Sequence, residues 1–166
     1  MIAEMTTSAP TRVPLELMIH DMTPPYESQV WTLAQEMWKE SIAHRGMKLE
    51  RDKLMQQLRA SQKNPNVYFK IAVRGGEVLG GFFGVINTVY FSDERAARDL
   101  AWFVRRSSRG GAAAVRLVAD FERWGLSKGV KQFFLGQSTG VNIEITKTLY
   151  EKLGYRVVGV NTVKEY

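Results

Sequence analysis

The stretch that decides the fold runs from Val104 to Ala114 and reads Val-Arg-Arg-Ser-Ser-Arg-Gly-Gly-Ala-Ala-Ala. The apolar run Leu100–Val104 leads into it and predicts a short strand covered on both faces. Beyond it, apolar residues recur at helical spacing as far as Leu126, which predicts a helix that begins among the small residues. The stretch is therefore a strand-to-helix junction built from small and basic residues.

Small residues at the start of a helix suit an anion-binding site. The first amides of a helix have no partner within the helix, and the helix dipole adds partial positive charge there. Without bulky side chains a pyrophosphate can approach those amides, and the guanidinium groups of Arg105, Arg106 and Arg109 add positive charge nearby. The stretch matches neither the dinucleotide-binding glycine fingerprint nor the P-loop. From this segment alone, a phosphate cradle and a surface loop with a helix cap remain alternatives.

The remaining hydrophobic pattern predicts that this junction belongs to a mixed α/β sheet with helices on both faces. Gly75 and Gly76 suit a tight hairpin turn, and Gly154 suits a helix end in the left-handed conformation. The predicted strands are residues 15–20, 67–73, 78–91, 100–104, 131–135, 155–160 and 162–166, and the predicted helices are about 24–42, 49–62, 112–126 and 142–153.

Length and composition favour one domain, residues 15–166, after an N-terminal tail, residues 1–14, that we expect to be flexible. The tail is rich in Thr, Ser, Pro and Ala, and it lacks the basic start and apolar run of a signal peptide. No stretch approaches the roughly 20 apolar residues that cross a bilayer. We therefore expect a cytoplasmic protein with no membrane partner.

The reactive and ionisable residues exclude several kinds of site. The chain contains no cysteine, which rules out disulfides, zinc sites with thiolate ligands and a cysteine nucleophile. His20 and His44 are isolated and give no metal-binding spacing, so we expect no metal and interpret both as surface or packing residues. The net charge of +6 is compatible with an anionic cofactor, a nucleic acid or an acidic partner, and does not distinguish among them.

Residues 104–118 resemble motif A of the GNAT N-acetyltransferase superfamily, whose core is [QR]-x-x-G-x-[GA] at a strand-to-helix junction. Arg109 matches the first position and Ala114 the last, whereas Ala112 stands where the family usually has glycine. In an alternative register two residues earlier, Ser107 would replace the Gln or Arg. We prefer the first register because the apolar helix positions of the family are then filled by Leu117 and Val118.

A second segment, Leu149–Tyr155, reads Leu-Tyr-Glu-Lys-Leu-Gly-Tyr and resembles motif B of the same superfamily, L-Y-x-x-x-G-[FY]. The predicted strand 131–135 separates the two motifs, as it does in the family. The chain is also similar to small acetyltransferases encoded by tailed phages, which would place it in the host cytoplasm. The resemblance implies a GNAT-like central sheet, mixed and mostly antiparallel, flanked by helices on both faces.

The resemblance also implies acetyl-CoA as co-substrate, no metal, and direct attack of a primary amine on the thioester within one ternary complex. The thioester carbonyl is expected to be polarised by a backbone N–H of the fourth strand, within residues 103–105. If the fourth and fifth strands separate, backbone groups of residues 136–138 also reach the cofactor. The implied contacts to acetyl-CoA are Phe103, Val104, Arg105, Arg109, Gly110, Gly111, Ala112, Ala113 and Ala114.

The catalytic roles that the resemblance implies fall on few residues. Tyr150 occupies the motif B tyrosine position and is the expected acid for the departing thiolate; the alternative is a packing role at the edge of an apolar stripe. For the general base, Asp99, Glu144 and a water relay remain alternatives. Asn142 could contact the acceptor or the pantetheine arm, but a helix N-cap is the interpretation we prefer.

Other functions stay open at the level of sequence. A non-catalytic acyl-CoA-binding or protein-interaction domain on the same fold would keep the cradle without a working acid or base. A nucleic-acid partner is disfavoured because the basic residues are dispersed and no recognition motif is present. The expected partner is an amine-bearing acceptor, either a small molecule or a protein lysine or N-terminus. The two predicted closing strands would offer an edge for a homodimer.

Overall fold

A computed structural model describes residues 15–166, so the tail predicted at residues 1–14 lies outside the described residues. These residues form five strands and four α-helices in the order β-α-α-β-β-β-α-β-α, with short 3-10 turns at Pro24–Tyr26 and Arg106–Ser108. The strands are β1 Leu17–Asp21, β2 Val67–Arg74, β3 Glu77–Thr88, β4 Arg95–Val104 and β5 Phe133–Phe134. The helices are α1 Glu27–Glu40, α2 Arg51–Ser61, α3 Ala112–Ser127 and α4 Ile143–Lys152.

The strands lie in the sheet in the order in which they occur in the chain, β1-β2-β3-β4-β5. The first four pair antiparallel, and β5 pairs parallel to β4. Gly75 and Gly76 form the β2–β3 turn with φ values of 58° and 80°, the left-handed conformations that such a turn requires. The prediction of a mixed, mostly antiparallel sheet flanked by helices is confirmed.

Two apolar clusters cover the two faces of the sheet. On one face α3 packs Leu117, Val118 and Phe121 against strand residues that include Phe82. On the other face α1 and α2 cover a cluster that includes Ile71. In α3 Ala113 is buried and Ala114 is half-buried, and in α2 Met55 and Leu58 are buried whereas Leu54 is half-buried.

A β-bulge interrupts the pairing of β3 with β4. Phe83 lies opposite Ala101 and Gly84 lies opposite Asp99, so Leu100 is the extra residue on β4. The bulge reverses which residues of β4 point their peptide groups toward β3. It lies at the level where β5 stops pairing with β4, because the β4–β5 ladder contains only the pairs at Ala97 and Arg98.

The lengths of β3 and β4 differ from the prediction. β4 begins at Arg95 rather than Leu100, because the antiparallel ladder with β3 continues past the apolar run into polar residues. The expectation that Leu100–Val104 is covered on both faces is wrong, since Leu100 is 52% exposed. β3 ends at Thr88, and the aromatic residues assigned to its end, Tyr90 and Phe91, lie fully exposed in the following loop.

The two closing strands predicted at residues 155–160 and 162–166 are not formed. Residues 155–166 have no regular secondary structure, and the valines that suggested strands are exposed. Strand propensity alone cannot build a strand, because each strand needs a neighbour for its backbone hydrogen bonds. Within residues 15–166 no such partner pairs with this segment, so the edge predicted for a homodimer is absent. None of the helices described there combines the length and apolar character that crossing a bilayer requires.

Candidate active site

A cavity of about 240 Å³ opens where β4 and β5 separate. One wall is β4 from Asp99 to Val104, and the opposite wall is the segment Gly136–Thr139 that follows β5. Residues at the start of α3 and of α4 as far as Leu149, together with Met37 of α1 and His44, complete the lining, and we refer to this space as the cleft. β4 and β5 therefore separate. This separation is the condition, stated from the sequence, for residues 136–138 to reach the cofactor.

The unpaired edge of β4 presents backbone hydrogen-bonding groups to the cleft. The Arg105 N–H donates to Leu79 O at 2.8 Å, which makes these two residues a hydrogen-bonded pair. In an antiparallel ladder such pairs alternate with non-bonded ones, so Phe103 also turns its peptide groups toward β3. Trp102 and Val104 then point their peptide groups to the other side, where no strand pairs with them. Of the predicted range 103–105, only Val104 presents its N–H to the cleft.

The start of α3 is open toward the cleft. Gly110 has φ of 79° and nothing near the position of a β-carbon, and Gly111 is the extended residue that precedes the helix. Together with Ala114 these glycines line the cleft. Ala112 is exposed and outside the lining, and the Ala113 side chain is only 2% exposed in the core. Of the residues predicted to form the cradle at the start of α3, Gly110, Gly111 and Ala114 thus line the cleft, whereas Ala112 and Ala113 point elsewhere.

Arg109 lies in the lining of the cleft, but its guanidinium already has partners. Its Nε–H donates to Val104 O at 3.1 Å, and its Nη2 donates to Glu40 Oε2 at 2.5 Å. The guanidinium also lies 4.9 Å from the centre of the Phe103 ring. Glu40 is the last residue of α1, so this ion pair joins the helix of one face to the start of α3. Arg105 is engaged with carboxylates outside the cleft, Glu77 at 2.6 Å and Glu36 at 3.5 Å.

Tyr150 lies behind the wall of the cleft, between its two sides. Its hydroxyl donates to Gly136 O and accepts a hydrogen bond from Trp102 Nε1, both at 2.9 Å. The side chain is 9% exposed, and burial raises its pKa above the usual value for tyrosine. Tyr150 therefore stays protonated at neutral pH. Its hydroxyl connects the β4 wall to the β5 wall.

Asp99 lines the cleft at the bulge, where the β4–β5 ladder has just ended. Its Oδ1 accepts a hydrogen bond of 2.8 Å from the Gly136 N–H. Burial raises the pKa of Asp99 to about 6, although this hydrogen bond acts in the opposite direction. The carboxylate is thus ionised at neutral pH and can accept a proton at only a small energetic cost.

The comparisons with known proteins agree with this geometry. The sequence model of the Acetyltransferase (GNAT) family matches residues 28–155, which include the cleft and both motifs. The chain belongs to the GNAT acetyltransferase family. It is accordingly an acyl-CoA-dependent N-acetyltransferase, and the family uses acetyl-CoA as co-substrate. No curated protein matches the sequence significantly.

Solved structures share the GNAT fold at low sequence identity. The aminoglycoside N-acetyltransferase AAC(6')-Iy in complex with CoA is 18% identical, with a TM-score of 0.75 over 94% of this chain and 98% of that one. Glucosamine-6-phosphate N-acetyltransferase from Arabidopsis thaliana is 14% identical, with a TM-score of 0.68 over 91% of this chain and 99% of that one. At these identities the likeness concerns the fold alone.

The residues of the GNAT cleft fit an acyl-CoA. The pantetheine arm carries amide groups, and the unpaired edge of β4 offers the peptide groups of Trp102 and the N–H of Val104 to bind them. The pyrophosphate is an anion, and the first amides of α3 are open to it because Gly110 and Gly111 have no side chain. Among residues 15–166, no three carboxylate or imidazole side chains lie close enough together to hold a metal ion.

The two other predicted residues, Asn142 and Glu144, lie at the start of α4. Asn142 lines it and has φ of 48°, but its side chain makes no hydrogen bond to the start of α4. The preferred N-cap interpretation is therefore wrong for the side chain; only the carbonyl of Asn142 takes part, as acceptor for the Thr146 N–H. Glu144 is exposed and does not line the cleft.

His44 is a residue of the GNAT cleft that the sequence did not indicate. It lines the cleft, stacks on Trp38 with 4.3 Å between ring centres, and shares a hydrogen bond of 2.6 Å with Ser41 Oγ. The loop that carries it reaches the opposite wall, where the Ile42 N–H donates to Thr139 O at 2.7 Å. Its interpretation as a surface or packing residue was incomplete. No spacing rule signals a histidine whose partners lie three and six residues earlier, across the end of a helix.

Proposed function

We propose that this protein transfers an acetyl group from acetyl-CoA to a primary amine by direct attack within one ternary complex. The observation that supports this most is that the cleft brings together the open amides of α3 and the unpaired edge of β4, with the Tyr150 hydroxyl directly behind its wall. One of these groups binds phosphate, the second binds an extended amide chain, and the third can supply a proton. An acyl-CoA needs these three groups for its pyrophosphate, for the amides of its pantetheine arm and for the thiolate that leaves.

The path of the donor follows from the positions of these groups. The pyrophosphate binds at the amides of residues 110–114, and Arg109 exchanges part of its pairing with Glu40 for a phosphate oxygen. The arm then runs along β4 away from α3, so it meets Val104 before Trp102. Trp102 follows Val104 along this path at a distance of two strand residues, about 7 Å. It is the one further from the pyrophosphate, so we assign the thioester carbonyl to the Trp102 N–H, which would polarise the carbonyl carbon for attack.

Proton transfers complete the proposed reaction. A lysine-like amine is mostly protonated at neutral pH and must lose a proton before it can attack. We assign this proton to Asp99, the carboxylate with a raised pKa in the lining of the cleft, directly or through one water. The amine nitrogen bonds to the carbonyl carbon, the carbon–sulfur bond breaks, Tyr150 donates its proton to the thiolate, and the nitrogen releases its second proton to solvent as the amide forms. Solvent then returns a proton to Tyr150 and takes one from Asp99.

The acceptor is proposed only as an amine-bearing molecule, either a small molecule or a protein lysine or N-terminus. Polar groups available to it lie at the wall shared by His44, Ser138 and Thr139. We place the reaction in the cytoplasm, where acetyl-CoA is available. A panel of monoamines, diamines, aminoglycosides, amino sugars and lysine peptides, assayed for thiol release with acetyl-CoA, tests the proposal directly.

A non-catalytic acyl-CoA-binding domain is the second candidate. The observation in its favour is that the Tyr150 hydroxyl is held by two hydrogen bonds behind the cleft wall. The two candidates differ in one measurable way. Calorimetric binding of CoA together with thiol release by at least one amine supports the enzyme. Tight binding of CoA without turnover on any amine of the panel supports the binding domain.

A further inference from the structure

A second cavity, of about 70 Å³, lies on the face of the sheet covered by α1 and α2. All twelve residues that line it are apolar or glycine, and we refer to it as the apolar groove. It shares Met37, Ala101, Trp102 and Phe103 with the lining of the cleft. The two spaces therefore adjoin along the unpaired edge of β4.

Small residues create the apolar groove. Ala34 on α1, Gly81 on β3 and Ala101 on β4 line it among much larger side chains. In the sheet Gly81 lies opposite Phe103, and Ala101 lies opposite Phe83, so each small residue leaves room beside an aromatic ring. The one polar side-chain group among these residues, the Trp102 Nε1–H, donates to Tyr150, so none is left for water, which needs polar partners to occupy a cavity stably. An apolar group is therefore the ligand that this space suits.

We infer that the apolar groove binds the acyl chain of a donor whose acyl group is longer than acetyl. This inference rests on the proposed function, because it starts from the thioester carbonyl at the Trp102 N–H. The carbon chain attached to that carbonyl begins between Ala101 and Phe103, which lie on either side of Trp102 in the sequence and, like it, line both the cleft and the groove. The chain can continue into the groove without crossing a polar surface.

The acceptor does not fit the same space. It must present an amine, which carries hydrogen-bonding groups and, before deprotonation, a positive charge. The groove has no polar side chain to bind them, whereas Asp99 and His44 lie on the cleft side of the shared wall. Charge and polarity thus divide the two substrates, with the acyl chain in the groove and the amine at the cleft.

The volume of the groove limits the length of the chain. A water molecule takes up about 30 Å³ in the liquid, so a cavity of about 70 Å³ holds about two groups of that size. A methylene or methyl group is similar in size to water. Two carbons beyond acetyl make a butyryl group. Butyryl-CoA therefore fills the groove, which acetyl-CoA, the donor of the proposed reaction, leaves empty, and longer chains gain no further contact.

The test is calorimetric binding of acetyl-, butyryl- and octanoyl-CoA to the full chain, with no acceptor present. Each buried methylene group contributes about a fourfold gain in affinity, so butyryl-CoA should bind about 15-fold more tightly than acetyl-CoA. Octanoyl-CoA should bind no more tightly than butyryl-CoA. Ala34→Leu fills the groove from α1 and should remove the butyryl advantage while leaving the affinity for acetyl-CoA unchanged.

Gln35→Leu is the matched control, since it adds a leucine one residue further along α1 and outside the groove. It should keep the butyryl advantage. If Ala34→Leu fails to fold, Ala101→Val fills the groove from β4, and the ratio of the two affinities is compared. Equal affinity for all three donors, or an unchanged ratio in a folded groove variant, overturns the inference but leaves the proposed function intact. Failure of acetyl-CoA itself to bind overturns both.

Discussion

Tyr150 has the same two hydrogen-bond partners whether or not it takes part in catalysis, so substitution must separate the two roles. Tyr150→Phe removes the proposed acid and keeps the ring. We expect kcat to fall by about 10²–10⁴-fold, the usual contribution of a general acid, with little change in the affinity for acetyl-CoA. The measurement is steady-state kinetics with the best amine of the panel.

A neighbouring tyrosine provides the control for that substitution. The Tyr155 hydroxyl donates to Glu122 Oε1 on α3, and this residue does not line the cleft. Tyr155→Phe removes the same atom and costs a hydrogen bond of about 1 kcal/mol, yet it should leave kcat unchanged. Equal turnover by Tyr150→Phe and the parent protein, with chemistry rate-limiting, would exclude Tyr150 as the acid.

Asp99 gives a pH-dependent prediction. A base must be ionised to act, and its pKa is about 6, so kcat/KM should fall below pH 6 as the carboxylate takes up its proton. Asp99→Asn should lower kcat and remove this acidic limb. An unchanged pH profile in the Asn variant would assign the proton to water or to another residue.

The same carboxylate affects stability in the opposite direction. Because burial raises its pKa in the folded protein, the folded state binds the proton more tightly than the unfolded chain does. Stability is therefore greatest below the ordinary pKa of aspartate and decreases as the pH rises from about 4 to about 6. Asp99→Asn should raise the free energy of unfolding at pH 7, by up to about 3 kcal/mol, while lowering activity. Thermal denaturation of both proteins at pH 4 and pH 7 measures this.

Single residues were predictable where a motif fixes their position and unpredictable where a contact crosses the fold. The sequence indicated Tyr150 through its motif B position and Asp99 as one of three alternatives for the base, and both residues lie at the cleft. It did not indicate that Trp102 and Gly136 hold the Tyr150 hydroxyl, since those contacts span 48 and 14 residues. His44 was missed for the same reason, because its place in the cleft depends on how the loop after α1 turns.

At the scale of elements, the start of α3 is the part of the cleft most open to a direct test. Ala114 lines the cleft, so Ala114→Phe should place a ring in the path of the pyrophosphate and weaken CoA binding at least tenfold. Val115→Phe is its control, because Val115 is 40% exposed on the same helix and lies outside the lining. Calorimetry with CoA compares the two variants. Equal affinity in both would show that the donor does not pass the start of α3.

Gly84, the β3 residue next to the bulge, supplies a prediction about stability. A β-carbon on Gly84 would lie 2.5 Å from the Phe121 ring, which α3 presses against the strand. Gly84→Ala should therefore destabilise the protein by about 1–3 kcal/mol through overpacking. Gly81→Ala on the same strand meets only ordinary contacts at 3.6 Å or more and should cost less. Thermal denaturation compares them, and an equal loss in both variants would contradict the assigned close contact.

Elements were predicted well where local chemistry determines them. The Gly75-Gly76 turn and the end of α4 before Gly154, whose φ is 89°, depend on residues adjacent in sequence. The prediction of two closing strands was wrong because a valine-rich sequence indicates only that a segment favours the strand conformation. It does not indicate whether a neighbouring strand is available to pair with it. The length of β4 was underestimated because its first half is held in the ladder by β3 and not by its own apolar character.

For the whole molecule, element order and the two motifs were sufficient to predict the architecture. The cleft itself was foreseen only as a condition, that β4 and β5 separate. Whether two strands separate depends on the bulge at Leu100 and on a ladder of two residue pairs. Neither has a signal in the sequence, since a bulge depends on the register of two strands relative to each other. The apolar groove was not foreseen, because it results from small residues on three different elements.

The sheet order has a consequence for how the protein is made. Every residue of the apolar cluster under α1 and α2 lies before Val104, so that cluster is complete once β4 has emerged from the ribosome. Chains grow at about 5–20 residues per second, so the 23 residues from Arg105 to Ser127, the end of α3, take roughly 1–5 s to follow. During those seconds the four antiparallel strands have one face covered by α1 and α2, and the other face stays exposed until α3 packs on it. The catalytic half of the protein is then assembled on a scaffold that is already in place.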